Sequence, residues 1–302
     1  MQRTWLLTVV VLLGWLFAVP GLAGAPTVAG ATPEAGPAAV LVGAGDIASC
    51  DEDADAATAK LLDDIEGKVF TLGDNAYPDG SARQFADCYE PTWGRHKDRT
   101  RPAPGNHDYE TENAAGYFGY FGETAGDPEI GYYSYDLGTW HVVALNSNCD
   151  EIGGCEAGSA QERWLRADLA AHPSTCTVAY WHHPRFSSGK NHGDEPEVAP
   201  LWDALYDAGA EVVMAGHDHL YERFAPQDAE GNADPARGIR GFVVGTGGKD
   251  RYRLEEPRPN SEVRDDDTHG VLVLTLHPAG YDWEFRPIAG QSFHDEGTAA
   301  CH

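Results

Sequence analysis

Side chains that bind metal ions recur directly after short apolar runs of this 302-residue sequence. They comprise two carboxylates, one amide oxygen and three imidazoles, at Asp46, Asp74, Asn106, His182, His217 and His219. This mixture of oxygen and nitrogen ligands suits zinc, iron or manganese better than calcium, which prefers oxygen alone. His217 and His219 lie two residues apart, so an extended backbone places both rings on one face, within reach of two neighbouring ions. The pattern therefore indicates a metal centre.

Each motif alone also has an ordinary structural explanation. A Gly-Asp pair after a strand is commonly a turn, and a His-x-His pair is commonly solvated or packed in a core. Asn106-His107-Asp108 could cap a helix, because asparagine side chains accept amide hydrogen bonds at helix starts. Five such motifs follow one another here, each at the end of its own apolar run. Their combination favours one shared metal centre over five unrelated local features.

Strands that alternate with helices must position these side chains. Apolar runs predict strands at residues 39–42, 68–72, 177–181, 211–215, 241–245 and 270–276, and alternation within residues 131–146 predicts a strand pair, from 132–135 to 141–145. Residues 99–104 lead into the third motif, and residues 281–286 follow the last predicted strand. Helical spacing occurs at residues 54–66, 160–171 and 201–208. The alternation predicts a layered α/β core, and such sheets place ligands beyond the carboxyl ends of their strands. No repeat or long linker divides residues 40–302, so we predict one domain there.

Two other catalytic patterns are disfavoured. Residues 43–48 fit the dinucleotide fingerprint G-x-G-x-x-[GA], but Asp46 would then face the pyrophosphate. In that case the acidic residues 51–53 would lie at the helix N-terminus, which should bind phosphate. The sequence also lacks G-x-S-x-G, the pattern that presents a serine nucleophile. We therefore expect no organic cofactor and no serine hydrolase chemistry.

The charge balance excludes two broad classes of function. The chain has 21 Lys and Arg against 48 Asp and Glu, which gives a formal net charge of −27. A general nucleic-acid binder or an electrostatic membrane-surface protein needs basic residues instead. An acidic surface also repels phosphate esters, so an activity on phosphate needs concentrated positive charge in its site. Metal ions are the obvious source of that charge.

The N-terminus has the three parts of a secretory signal. Arg3 precedes an apolar run at residues 5–19, and Ala23-Gly24-Ala25 is a small-residue cleavage site. A transmembrane anchor is the alternative, although about 20 apolar residues are needed to span a bilayer. We predict a signal peptide at residues 1–25 and a flexible segment, rich in Pro, Gly and Ala, at residues 26–39. The mature protein would be extracellular and not stably bound to a membrane.

Six cysteines, an even number, remain after that cleavage. In an exported chain this count indicates disulfides, and six cysteines allow 15 pairings. Only Cys149–Cys155 is favoured by proximity, because a short Gly-Gly loop separates the two residues. No C-x-x-C occurs, which disfavours a zinc cluster held by sulfur.

The five motifs together resemble those of the calcineurin-like metallophosphoesterase superfamily, and within it the purple acid phosphatases. They are Gly45-Asp46-Ile47, Gly73-Asp74-Asn75-Ala76-Tyr77, Gly105-Asn106-His107-Asp108, Ala179-Tyr180-Trp181-His182 and Gly216-His217-Asp218-His219. The resemblance extends over about residues 40–290. It implies a β-sandwich core flanked by helices in four αββα layers. It also implies a single catalytic domain, without the N-terminal β-sandwich of the larger plant-type members.

Ala48 and Tyr77 indicate the branch of the superfamily. Most members have a histidine ligand where this sequence has Ala48, whereas purple acid phosphatases supply a tyrosine at the position of Tyr77. The alternative for Tyr77 is a packed aromatic before Pro78. The resemblance implies one site of Asp46, Asp74, Tyr77 and His219, and a second of Asp74, Asn106, His182 and His217. Fe(III) is expected at the first site, and Fe, Zn or Mn at the second, with Asp74 as the bridge.

The implied function is a secreted phosphatase that hydrolyses small phosphomonoesters by attack of a metal-bound hydroxide. His107 and His192 match the outer histidines of the family, which bind phosphate or protonate the leaving oxygen. For His192, a mobile loop position is the alternative. A phosphodiesterase or nucleotidase using the same centre remains open, as does a silent binding protein, although the intact ligand set argues against the latter. The oligomeric state stays open.

Overall fold

A computed structural model describes residues 1–2 and 38–302 of the chain. The predicted signal at residues 1–25 and the predicted flexible segment at residues 26–39 lie almost wholly outside the described residues. Within the described part, no helix combines the length and the apolar character needed to cross a membrane.

The described residues form thirteen strands and six α-helices, numbered in chain order. The strands are β1 (Ala39–Ala44), β2 (Lys68–Leu72), β3 (Thr100–Ala103), β4 (Tyr133–Leu137), β5 (Trp140–Ala144), β6 (Cys176–Tyr180), β7 (Val212–Ala215), β8 (Tyr221–Phe224), β9 (Arg240–Val244), β10 (Ser261–Asp265), β11 (Gly270–His277), β12 (Gly280–Pro287) and β13 (Asp295–Ala300). The helices are α1 (Ala54–Asp63), α2 (Ala82–Gln84), α3 (Asn106–Tyr109), α4 (Ala115–Phe121), α5 (Ala160–Ala171) and α6 (Ala199–Asp207). A π-helical turn and several short 3₁₀ helices complete the connections.

The strands form two mixed sheets. The first has the order β13-β12-β11-β1-β2-β3, and the second has the order β10-β8-β9-β7-β6-β5-β4. Strands β1, β2 and β3 run parallel, with Val42 opposite Val69, and β5, β6, β7 and β9 also run parallel, with Ala179 opposite Val213. Parallel neighbours end at the same edge of a sheet, so the motifs that follow them are brought together.

The core explains why these strands read as continuous apolar runs. In β6, Val178 and Tyr180 belong to the cluster between the sheets, where the Tyr180 ring lies 5.9 Å from that of Phe70. The alternate residues Ala179 and Trp181 belong to the cluster that contains α5 and α6 side chains. Helix α1 packs against β11 of the first sheet. Strands that are buried on both faces need apolar residues at every position, which explains the continuous apolar runs. The predicted α/β fold, with two facing sheets flanked by helices, is confirmed.

Three disulfides pair the six cysteines, all of which lie in the described part of the chain. Cys149–Cys155 is the pair that proximity predicts. The other two are Cys50–Cys88 and Cys176–Cys301, which the sequence alone leaves open. Cys176–Cys301 connects β6 of the second sheet to the residue after β13 of the first.

Candidate metal centre and active site

The seven predicted ligands converge where the parallel strands of both sheets end. The segments after β1, β2 and β3 contribute the oxygen donors, which are Asp46, Asp74, Tyr77 and Asn106. The segments after β6 and β7 contribute the three imidazoles of His182, His217 and His219. The first sheet therefore supplies the anionic and neutral oxygens, and the second sheet supplies the nitrogens.

One half of the cluster surrounds the Tyr77 hydroxyl. This oxygen lies 3.0 Å from Asp46 Oδ1, 2.9 Å from Asp74 Oδ2 and 3.1 Å from His219 Nε2. His219 Nε2 also lies 3.3 Å from Asp46 Oδ1. The Tyr77 hydroxyl is therefore the point at which three other candidate ligands meet.

The other half surrounds Nε2 of His182. This nitrogen lies 3.0 Å from Asn106 Oδ1, 3.4 Å from Asp74 Oδ1 and 3.1 Å from His217 Nδ1. Asp74 therefore turns one carboxylate oxygen towards each half, Oδ2 towards Tyr77 and Oδ1 towards His182. A carboxylate in this position can be shared by two ions.

Hydrogen bonds outside the cluster fix the orientation of its imidazoles. His182 Nδ1 donates to the Leu72 carbonyl at 2.6 Å, and His219 Nδ1 donates to the Asp250 carbonyl at 2.7 Å. In the neutral imidazole these bonds keep the proton on Nδ1, and they direct Nε2 of each ring at the other ligands. Such partners set the tautomer of a metal-binding histidine, so both rings are prepared as ligands.

The backbone around the ligands is locally constrained. Asp46, Asp74 and His217 have φ angles of 60°, 50° and 71°, in the left-handed region that non-glycine residues seldom adopt. The motif glycines allow the ligands to approach: a Cβ on Gly105 would lie 2.2 Å from Asp74 Oδ1, and one on Gly216 would lie 2.7 Å from Asp46 Oδ2. Strain and close approach therefore coincide at the residues that line the centre.

The protonation states of the groups in this buried cluster depend on one another. Burial alone would raise the pKa of the Asp74 carboxyl, but His182 and its neighbours hold that pKa far below its usual range. Burial opposes a proton on His182, whereas Asp74 raises the pKa of that imidazole to about 9. Burial and the two carboxylates raise the pKa of Tyr77 well above its ordinary value. Buried carboxylates of this kind are stable only beside positive charge.

The donor set fits a pair of metal ions. Ligand atoms that bind one ion at about 2.0–2.3 Å lie roughly 3 Å apart, which is the spacing among these donors. Two of the three compact groups of potential ligands among the described residues lie in this cluster: Asp46 with Asp74 and His182, and His182 with His183 and His217. The third, His141 with Asp168 and His172, is made of other residues. The donors are hard oxygens and imidazoles, a set that suits iron, zinc or manganese.

The two predicted catalytic histidines lie beside different ligands of the cluster. The His107 ring packs 4.6 Å from the Tyr77 ring, and its Nε2 lies 3.9 Å from Asp74 Oδ2. Its Nδ1 contacts the Pro78 carbonyl, which directs Nε2 towards the centre. His192 is exposed, and its ring lies 3.9 Å from the His217 ring. Both rings can therefore reach a group bound over the ligands.

Several residues of the site were not predicted from sequence. The Ser147 hydroxyl accepts the amide hydrogens of His182 and His183, at 3.2 and 2.9 Å. The Tyr252 ring stacks on His219 with centroids 3.8 Å apart. Tyr252 follows the Gly-rich segment after β9, which is a usable signal, whereas nothing in the sequence distinguishes Ser147 from other serines.

An open cavity of about 440 Å³ adjoins the cluster at Asn106 and His183. Its lining includes the carboxylates of Glu110, Asp150, Glu151, Glu195 and Glu197. The described residues that line it include no Lys or Arg. A molecule bound over the metal centre would therefore extend into a negatively charged space.

The sequence matches the family profile described as calcineurin-like phosphoesterase over residues 40–221. Purple acid phosphatase 21 of Arabidopsis thaliana is 32% identical over 286 residues, an alignment that covers 81% of this chain and 62% of that protein. The chain thus spans less than two thirds of the length of this relative.

Two solved structures have a similar fold at low sequence identity. Purple acid phosphatase PPD1 from yellow lupin superposes with a TM-score of 0.70 and 19% identity, over 87% of this chain and 54% of that one. GAP50, described as the anchor in the inner membrane complex of Plasmodium, gives 0.67 and 13%, over 88% and 90%. Identities this low establish a shared fold and not a shared activity. The functional argument therefore rests on the site residues.

Proposed function

Because the chain belongs to the calcineurin-like phosphoesterase family and has purple acid phosphatase homologues, we propose that it hydrolyses small phosphomonoesters with a dinuclear metal centre. The observation that carries the proposal is the convergence of seven metal-type donors from both sheets on one buried point. A protein that used the cleft only for binding would have no need of a complete ligand set with a shared carboxylate.

The proposed first metal site contains Asp46, Asp74, Tyr77 and His219, and the second contains Asp74, Asn106, His182 and His217. The two halves of the cluster support this division, because Asp74 directs one oxygen to each. Fe(III) suits the first site, where a phenolate is available, and Fe, Zn or Mn suits the second. When bound, two such ions lower the pKa of a coordinated water and neutralise charge on a phosphoryl group.

The remaining chemistry falls to side chains of the chain. His107 Nδ1 faces the Pro78 carbonyl and Nε2 faces the cluster, so a His107 ring protonated on both nitrogens would donate from Nε2 to a phosphoryl oxygen. His192 lies beside His217, where its imidazole, when protonated, would deliver its proton to the leaving oxygen. Burial lowers the pKa of His192, so this role would be favoured at acidic pH. His183, held by Ser147 through Nδ1 at 2.8 Å, completes the wall beside the leaving group.

The alternative is a phosphodiesterase or nucleotidase that uses the same donors. The open cavity beside Asn106 favours it, because about 440 Å³ can hold a second ester group. Turnover of an aryl phosphate and of the corresponding bis-aryl phosphate by protein loaded with iron and zinc separates the two. We expect kcat/KM to be higher for the monoester. A preference for the bis-ester would establish the alternative, and turnover of neither would contradict both.

We further propose that the protein is exported. The signal pattern at residues 1–25 and the three disulfides support this proposal, because disulfides persist in oxidising compartments. Intact-mass analysis of protein recovered from the medium should show a chain that begins at Pro26 and has no alkylatable thiol. Retention of residues 1–25, or six alkylated cysteines, would contradict the proposal.

A further inference from the structure

We propose that Asp218 is a positioning residue that holds His192 over the metal centre. The proposal rests on the function proposed above, since it concerns a histidine assigned to that reaction. Asp218 lies between His217 and His219 in the sequence, yet its carboxylate is fully buried and points away from the ligand cluster, into the loop of residues 187–194.

The Asp218 carboxylate ties the two ends of this loop together. Its Oδ2 accepts a hydrogen bond from the Ser187 hydroxyl at 2.5 Å and another from the Gly193 amide at 3.0 Å. Gly193 directly follows His192, so one of these bonds fixes the backbone next to the catalytic ring. Hydrogen bonds to an ionised carboxylate are stronger than those between neutral groups.

The loop also packs directly on the carboxylate. A Cβ on Gly189 would lie 2.2–2.4 Å from the Asp218 carboxylate, so only glycine allows this approach. The Gly189 amide in turn donates to the Ser187 hydroxyl at 3.0 Å. The first half of the loop therefore packs around the Asp218 carboxylate.

The exposed His192 ring depends on this support. The ring lies 3.9 Å from the His217 ring, but the residue is exposed. Fixing an exposed loop costs conformational entropy, which hydrogen bonds must offset. Because Asp218 and His217 are adjacent in the chain, the backbone that positions a ligand also positions the loop that carries His192.

A neighbouring carboxylate provides a matched control. Glu222 is also fully buried, and it accepts hydrogen bonds from the Ser188 amide at 2.7 Å and the Ser188 hydroxyl at 2.6 Å. It holds the same loop at its entrance but makes no hydrogen bond to Gly193. Glu222→Ala, which removes these acceptors as Asp218→Ala removes its own, therefore tests general weakening of the loop without removing the support next to His192.

The decisive experiment is a double-mutant cycle between Asp218→Ala and His192→Ala in the metal-loaded protein. We expect Asp218→Ala to lower kcat/KM for an aryl phosphate at least about tenfold, as loss of a positioned acid does. In the His192→Ala background, the same change should cost less than about twofold, because its only route to the reaction is gone. Asp218→Asn, whose amide oxygen can still accept both bonds, should restore most of the activity.

Two further measurements distinguish positioning from damage to the metal ligands. Metal analysis should find both ions in Asp218→Ala. Hydrogen exchange at the Gly193 amide should rise in Asp218→Ala but much less in Glu222→Ala. Equal losses in both backgrounds, or loss of metal, would show that Asp218 supports the ligands instead. Unchanged exchange in Asp218→Ala would overturn the role of Asp218 whatever the activity. Absence of turnover in the wild type, with exchange behaving as expected, would overturn the proposed function alone.

Discussion

Tyr77 differs from the other predicted ligands because its oxygen must lose a proton before it binds a metal strongly. The buried hydroxyl lies between the Asp46 and Asp74 carboxylates, and burial together with these charges raises the pKa of Tyr77 well above its ordinary value. Without a cation the side chain therefore remains a neutral phenol that donates to a carboxylate. A trivalent ion at bonding distance reverses this balance, because its charge stabilises the phenolate.

Replacing Tyr77 by Phe tests this assignment directly. We expect ferric-loaded wild-type protein to absorb in the visible region and Tyr77→Phe to lose the band, because phenylalanine retains the ring but lacks the oxygen. Absorption spectroscopy at equal iron content measures the effect, and near-ultraviolet circular dichroism checks the fold. Zinc-loaded wild type is the colourless control. A band that survives in Tyr77→Phe would show that Tyr77 is a packed aromatic. It would also remove the reason to expect Fe(III) at the first site.

Asp74 should be the most sensitive of the ligands. Its two oxygens face different halves of the cluster, whereas Asn106 contacts only the half around His182. Asp74→Asn should therefore reduce bound metal in both sites and lower kcat/KM more than the roughly 10–100-fold cost of losing a group that merely supports a ligand. Asn106→Ala should lose one ion and retain the other. Two ions and near-normal turnover in Asp74→Asn would contradict the shared-carboxylate assignment.

At the scale of the elements, the local sequence pattern is sufficient to predict a strand wherever that strand is buried on both faces. The runs that precede Asp46, Asp74 and His217 are apolar because consecutive residues of β1, β2 and β7 are buried, so both faces of each strand are covered. Such runs end abruptly at polar residues, so the sequence predicts both the strand and the position of its ligand. Helical spacing predicts α5 at its observed limits, and in the structure the Ser159 hydroxyl caps its start by accepting from the Glu162 amide.

Local pattern was insufficient where tertiary contacts create the element. Strands β8, β10 and β13 contain several charged residues and were not predicted from sequence. In β8, Arg223 is tolerated because its guanidinium pairs with Asp295 of β13 at 2.7 Å. The roles of Asp218 and Ser147 were missed for the same reason, since their partners are distant in sequence. An isolated segment cannot reveal a charge that is compensated 72 residues away.

The disulfide between β6 and the segment after β13 gives a prediction at this scale. Cys176–Cys301 closes a separation of 125 residues, whereas Cys149–Cys155 closes one of 6. Removing a crosslink restores loop entropy to the unfolded chain, so losing the long one should lower the free energy of unfolding by about 5 kcal/mol and the short one by about 2 kcal/mol. Denaturant unfolding of the two double Cys→Ser variants measures both. Equal losses would contradict this account.

The negative charge of the whole molecule repels its proposed anionic substrate. Its formal net charge is −27, and the cavity beside the metal centre contains five carboxylates. A phosphate ester approaches as an anion, so long-range repulsion slows encounter until the ester reaches the ions. The proposed leaving-group side is also negative. Discrimination among phosphate esters should therefore depend on the charge of the part that does not react.

Ionic strength provides the test of this whole-molecule field. The Debye length falls from about 30 Å at 0.01 M salt to about 8 Å at 0.15 M. Over this range we expect kcat/KM to rise several-fold, on the order of 3–10, for a nucleoside triphosphate, because screening removes repulsion. For an amino-alcohol phosphate, whose leaving group is cationic, it should stay constant or fall. Both substrates use the same centre, so competition by the added anion affects them alike and cannot produce opposite trends.

Glu197→Gln should weaken the contrast, because it removes one cavity charge without touching a ligand. Parallel decreases for both substrates would show that the surface charge does not govern their selection.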